Sequence, residues 1–229
     1  MNLKTAVMIS ALTMGVAPAA QLLVNPGFET PLVTSASVCS GVANALCFDQ
    51  GASIGGWAVV GSGTAANSVL LLNNTYTEFA GVLHFTSQEG NQNLDLTGPG
   101  NQGPNGVEQS VATVAGAAYN LSFWIGNQDT AFAPYATPSS VTLLVNGAQV
   151  GVYTNSLSTS ADVNWLHFNY TFTGVGSSTT VRFLNATVGD DFAGLDNVTL
   201  DSAVPEPSTV GLMFCGALVL ARRRLAGAR

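Results

Sequence analysis

Tyr119-Asn120-Leu121-Ser122-Phe123-Trp124-Ile125 places apolar side chains at 119, 121, 123 and 125, with Asn120, Ser122 and Trp124 between them. That period of two fits a strand with one face on a core; a helix would repeat its apolar positions every three or four residues. The same period recurs in Phe168, Tyr170 and Phe172, separated by Asn169 and Thr171, and in Val181 and Phe183 around Arg182. Val141, Leu143 and Val145 lead into Asn146-Gly147, and a second run returns over residues 149–153. An Asn-Gly pair between two such runs is the strongest short hairpin signal, because both residues accept the positive φ the turn needs. Further short runs at 21–24, 57–60, 68–72, 82–86, 107–114 and 195–200 are bounded by Gly, Asn, Pro or Ser. The spacing predicts an all-β chain, a jelly-roll β-sandwich of about ten short antiparallel strands. Residues 91–106, around a short Leu94–Leu96 segment, and residues 128–140 read as long loops, where a rigid sandwich commonly carries binding groups.

Composition narrows the function. Only 8% of the 229 residues are charged, against roughly 25% in an ordinary soluble domain. The hydrophobic fraction of 47% is too high for a disordered chain. A net charge of −7 excludes a nucleic-acid partner, which needs clustered Lys and Arg. Arg182 is the one basic residue between 21 and 204; the others, Lys4, Arg222, Arg223, Arg224 and Arg229, lie at the two ends.

Those ends read as addresses. Lys4, an apolar stretch from about Ala6 to Val16, and small residues at Ala17 and Ala19 are the parts of a signal peptide occupying residues 1–19. Residues 20–203 then form the sandwich domain, and 204–229 a sorting and anchor tail. In the tail, Pro205-Glu206-Pro207 is followed by an apolar run at 210–221 and by Arg222-Arg223-Arg224. Twelve helical residues reach only about 18 Å, a marginal transmembrane helix for a hydrocarbon core of about 30 Å. The Arg cluster would stay inside and leave residues 21–204 on the outer side. This three-part tail resembles the PEP-CTERM sorting signal of exported bacterial proteins. The resemblance implies an exosortase as partner, and delivery to the cell envelope, the outer surface or an extracellular exopolysaccharide matrix.

Cys215 lies within the tail, which leaves Cys39 and Cys47 as a pair. They either close a nine-residue loop as a disulfide, which an oxidising compartment favours, or remain two buried thiols. A loop of that size would contribute about 2–3 kcal/mol.

Several segments resemble galactose-binding-like jelly rolls of the carbohydrate-binding-module type. They are Leu22-Leu23-Val24-Asn25-Pro26-Gly27-Phe28-Glu29, Gly56-Trp57, the stretch from Phe85 to Leu96, and Gly194-Leu195-Asp196-Asn197-Val198-Thr199-Leu200. The segment holding Cys39 and Cys47 is an addition to that pattern. The resemblance implies a structural calcium held by Glu29 and Asp196, consistent with the hard oxygen ligands calcium takes. The alternative is that Glu29 caps a turn and Asp196 bonds backbone. Strand parity also sets Trp124, Asn120, Trp165, His167, Asn169 and, by extension, Arg182 off the core. Such a face suits sugars, which stack on aromatic rings and bond to amides; the alternative is that both tryptophans pack under loops. No metalloprotease, nucleophile-elbow or phosphate-loop motif occurs. The expectation is therefore a non-catalytic surface protein that binds or structures polysaccharide. A purely structural matrix protein and a surface glycoside hydrolase are the alternatives.

Overall fold

The computed structural model describes residues 20–202 except 64, 101–102, 129–137, 158–160 and 190–191. In chain order the strands are β1 (Val38–Cys39), β2 (Val42–Ala43), β3 (Ala45–Phe48), β4 (Ser53–Ile54), β5 (Trp57–Gly61), β6 (Val69–Asn73), β7 (Thr77–Glu78) and β8 (Leu83–His84). There follow β9 (Gln92–Asp95), β10 (Asn105–Ala112), β11 (Ala118–Asn127), β12 (Ser139–Val145), β13 (Ala148–Asn155), β14 (Asn164–Thr173), β15 (Ser178–Asn185) and β16 (Gly194–Ser202). One sheet runs β13-β12-β15-β10-β5-β4 and the other β14-β11-β16-β9-β6-β3; β1-β2 and β7-β8 are small ribbons. Every strand pair is antiparallel, and from β9 to β12 the chain crosses between sheets at each step. The predicted antiparallel β-sandwich is the observed one.

Alternation explains the core. Leu121, Phe123 and Ile125 of β11, Leu143 and Val141 of β12, and Val181 and Phe183 of β15 meet Trp57, Leu71, Leu94 and Leu195 between the sheets. Phe183 lies edge-on to both Phe123 and Trp57. The Asn146-Gly147 turn forms as expected, with φ of 51° and 79°.

β6 departs from alternation: Val69, Leu70, Leu71 and Leu72 are all buried. The reason is a second apolar cluster on the outer face of the same sheet, formed by Cys39, Ala45, Leu70, Leu72, Tyr76, Leu83, Phe85 and Phe192. A strand covered on both faces reads as a continuous apolar run.

Residues 21–24 form no strand. Gln21 makes an isolated bridge to Asp201, and Leu22 donates its N–H to Leu200. Side chains replace the rest of the ladder. Gln21 Oε1 accepts from the Leu23 and Leu200 N–H groups, and the Gln109 amide both accepts from and donates to the Val24 backbone. Two glutamines thus act as the missing strand neighbours, which period-two reading cannot detect.

Cys39 and Cys47 are joined by a disulfide that ties β1 to β3, with their Cα atoms 5.2 Å apart. Non-reducing mass spectrometry of the exported protein should give one linked peptide two hydrogens light. Recovery of both residues as alkylated thiols without reductant would contradict the bridge.

Candidate functional site

Asp95 lies at the end of β9, two residues beyond Asn93 and on the face away from the sandwich core. Its register partners are Leu70 of β6 and Gly194 of β16. Here the outer cluster opens into a cavity of about 300 Å³. Asp95, Leu70, Leu72 and Ala45 belong to the sheet; Cys39, Ser40 and Val42 form one wall; Tyr76, Glu78, Phe85 and Phe192 form another; and Thr97–Gly100 closes the site.

The aromatic wall rests on two glycines. Gly126 of β11 faces Gly194 of β16 across the sheet. A Cβ at Gly194 would lie 2.6 Å from the Phe192 ring, and one at Gly126 would lie 2.9 Å from Phe192 and Trp165. Only bare backbone lets both rings, set nearly at right angles to each other, approach that closely. The Ser139 hydroxyl holds the Phe192 carbonyl from behind, and Phe192, Phe85 and Tyr76 continue edge to face at 5.1 Å spacings.

Asp95 is only 6% exposed. One oxygen, Oδ1, accepts from the Thr97 N–H at 2.9 Å, the Thr97 hydroxyl at 2.7 Å and the Ala193 N–H at 3.4 Å. Oδ2 has no hydrogen-bond partner among the described residues. Burial pushes the Asp95 carboxyl up to about 7; the Thr97 and Ala193 donors oppose that, and the nearby Glu78 carboxylate adds to it. Glu78 in turn accepts from the Tyr76 hydroxyl at 2.5 Å. The result is a chamber lined by both aromatic and polar groups, holding a carboxyl group that keeps its proton about half the time at neutral pH. Sequence reading missed this site. Its signal was an acid at an outward strand position whose neighbours, Leu70 and Leu72, are apolar.

The expected calcium pair lies elsewhere, with Asp196 on β16 and Glu29 in the segment after the first turn. Asp196 accepts the Gln88 and Glu89 N–H groups on Oδ2 and the Asn197 N–H on Oδ1. Glu29 Oε1 accepts from Asn91 and Gln92. A Cβ at Gly27 would lie 3.8 Å from Asp196 Oδ1 and 4.0 Å from Glu29 Cγ, so the two side chains border one small cradle. Asn25, Pro26, Glu89, Gly90 and Asn197 complete its lining. Burial raises the Asp196 carboxyl to about 7, with Glu29 adding repulsion. The donor set of carboxylate and amide oxygens fits a calcium ion chemically. No cluster of three or more His, Cys, Asp or Glu occurs among the described residues, so an ion there would depend on backbone and amide oxygens as well.

The expected sugar face is divided. Asn120, Ser122 and Trp124 of β11 lie opposite Thr171, Asn169 and His167 of β14. The Trp124 and His167 rings are 4.8 Å apart and tilted by 39°, and His167 Nε2 bonds the Ser122 hydroxyl at 2.7 Å. Trp165 instead leans over Gly126 and donates its indole N–H to the Thr86 carbonyl at 3.0 Å. Arg182 is on the other sheet, where Nε bonds Glu108 at 2.6 Å, across a register pair. The sorting residues Pro205, Glu206, Pro207 and Arg222–Arg224, together with the signal segment, lie outside the described residues.

With this geometry in place, comparison with known proteins gives the class. The HpiC1-like family, described as HpiC1 cyclase, matches residues 20–201, and the chain belongs to it. Residues 203–224 match the PEP-CTERM protein-sorting motif, which implies an exported, surface-sorted protein handled by an exosortase. The expectation of a non-catalytic protein is thereby corrected: the sandwich belongs to a family named for an enzyme. None of the functionally curated proteins matches.

Among solved structures, TmCBM61 in complex with beta-1,4-galactotriose is 16% identical, with a TM-score of 0.46, covering 80% of this chain and 99% of that one. The CBM22-1 xylan-binding domain of Paenibacillus barcinonensis Xyn10C is also 16% identical, with a TM-score of 0.41, covering 70% and 94%. A family 35 carbohydrate binding module from an environmental isolate is 15% identical, with a TM-score of 0.34, covering 44% and 66%. The chain thus spans just under two thirds of that last module. These likenesses concern the fold.

Proposed function

We propose that the chain is an exported cyclase that closes a ring in a small, neutral, unsaturated substrate, with Asp95 as its general acid. The observation that carries this reading is the Asp95 carboxyl itself, raised to about 7 in a chamber walled by Tyr76, Phe85 and Phe192, with Oδ2 left for a ligand. A carboxylic acid still substantially protonated at neutral pH can give its proton where a solvent-exposed aspartate cannot. Oδ2–H would transfer its proton to a substrate C=C, forming a C–H bond and a carbocation. A second C=C would supply the electron pair for the new C–C bond, and loss of a proton to the Asp95 carboxylate would restore the acid. Atoms balance as an isomerisation with no co-reactant. Tyr76, Phe85 and Phe192 offer aromatic surface to the developing cation. With the Glu78 carboxylate in the wall and Arg182 on the other sheet, anionic substrates are disfavoured.

The test is incubation with a panel of neutral polyunsaturated small molecules in deuterated water. The expected product is an isomer of the substrate that has gained deuterium. Substrates returned unchanged across the panel, with none retained by the protein, would count against the reading.

The outer face of β11 and β14 supports a second, compatible role in holding polysaccharide, because the Trp124–His167 pair stands beside exposed Asn169. Glycan-array binding that is lost in Trp124→Ala is the expected result. We also assign a structural calcium to Glu29 and Asp196.

Sorting is proposed to end in cleavage at the tail, with release or attachment to the envelope or exopolysaccharide. The intact mass of the exported protein should lack residues 1–19 and end near residues 204–208. A mature species still carrying Arg229 would show the tail to be retained.

A further inference from the structure

Asp95 and Glu78 are the only carboxyl or basic side chains lining the chamber among the described residues, and both are acids. The Tyr76 hydroxyl donates to Glu78 but brings no charge. Cys39 has no thiol to ionise, because it is bridged to Cys47. His84 is exposed and lies opposite Thr77, on the other face of the β7-β8 ribbon from Glu78. Arg182, the one Lys or Arg between 21 and 204, bonds Glu108 on the other sheet. No Lys or Arg of the sandwich therefore balances the chamber. Beside the acids stand Tyr76, Phe85 and Phe192, successive rings meeting edge to face with centroids 5.1 Å apart. Asp95 is only 6% exposed, and its Oδ2 accepts from no described residue. Aromatic rings beside carboxylates form the surroundings that recognise an organic ammonium ion: the rings attract its charge and a carboxylate oxygen accepts its N–H.

We infer that the chamber binds small organic ammonium ions, with an N–H donated to Asp95 Oδ2, the charge near Glu78, and the hydrocarbon body against Tyr76, Phe85 and Phe192. The inference rests on the reading of this chamber as the substrate site. A neutral substrate becomes cationic there only on protonation. A saturated ammonium ion carries that charge on entry and occupies the chamber without reacting. Such a ligand favours the ionised form of Asp95, whose carboxyl burial raises to about 7. Its binding therefore expels the proton that Asp95 holds, and tightens as pH rises through 7. A neutral ligand gains nothing from that ionisation.

The test is calorimetry of the exported protein with cyclohexylammonium and with cyclohexanol, two probes of nearly equal size and shape. At pH 8 the ammonium ion should bind about tenfold or more tightly than the alcohol. It should also bind severalfold more tightly at pH 8 than at pH 6, and Asp95→Asn should remove that pH dependence. Glu78→Gln should raise its dissociation constant about tenfold. Glu108→Gln makes the same change of net charge on the other sheet and should leave it nearly unchanged. Equal binding of the two probes, or no binding of the ammonium ion, overturns the inference. So does ammonium binding that neither Asp95→Asn nor Glu78→Gln alters, because it would place the ligand elsewhere. The cyclase reading fails separately: ammonium binding in the chamber, with no isomer formed from the neutral panel, would remove the chemistry and leave this site standing.

Discussion

Replacing Asp95 with asparagine is expected to abolish most turnover while making the protein more stable in alkaline solution. Loss of a general acid costs about 10²–10⁴-fold in rate, and the asparagine side chain would keep the shape and an acceptor for Thr97. The stability gain follows from linkage. Asp95 titrates near 7 in the folded protein against 3.8 for the ordinary group, so the folded chain holds this proton more tightly than the unfolded chain. Its contribution is fully present below pH 3.8, declines above that, and is lost as pH rises through 7. The difference corresponds to about 4 kcal/mol. At pH 8 the wild type buries a charge that Asp95→Asn lacks, and the variant should melt several degrees higher. Wild-type kcat/KM should fall above pH 7 as the acid ionises. Undiminished turnover in Asp95→Asn would remove this residue from the chemistry, even if the chamber still binds substrate.

Calcium is expected to raise the melting temperature, and chelation to lower it, through the cradle between Glu29 and Asp196. An ion bound only by the folded chain stabilises it by about 2.7 kcal/mol at one hundred times its dissociation constant. Asp196 again supplies a pH signature. Without an ion its carboxyl titrates near 7, against 3.8 for the ordinary group, so the stability it contributes is lost as pH rises through 7. In chelator, the melting temperature should therefore rise on acidification from pH 8 to 6. A calcium ion bound there would hold Asp196 ionised and should remove its share of that rise, leaving the share due to Asp95. Asp196→Asn should lose the calcium response. Superimposable melting curves in millimolar calcium and in excess chelator would show that Glu29 and Asp196 only fasten the neighbouring backbone.

The sandwich was legible because its strands are amphipathic. Leu121, Phe123 and Ile125 had one core to face, and the period of two announced it. β6 was found as an apolar run, but its second covered face was not, since continuous burial erases the period that shows which side a residue faces. The first segment was misread for a different reason: Gln21 and Gln109 supply its hydrogen bonds from side chains, and no local pattern encodes a partner 85 residues away.

The sites show the same division. Glu29 and Asp196 were singled out because short motifs surround both, and the structure brings their side chains near each other beside Gly27. Arg182 shared its strand parity with the sugar-face candidates, but parity says which side of a sheet a residue occupies, not which sheet. Asp95 was passed over because its character comes from long-range placement. Phe192 and Ala193 reach it from nearly one hundred residues away, and burial there, not any sequence neighbour, keeps its proton in place.

The central claim is that the Asp95 carboxyl is raised to about 7, so that a large share of it is still an acid at neutral pH, and it can be measured without a substrate. Carbon-13 NMR titration of the aspartate side-chain carboxyls, with the Asp95 signal assigned by its loss in Asp95→Asn, reads the ionisation directly. A midpoint near 7 is the expected result. A midpoint near 4 would show an ordinary carboxylate in the chamber and contradict the account of its chemistry.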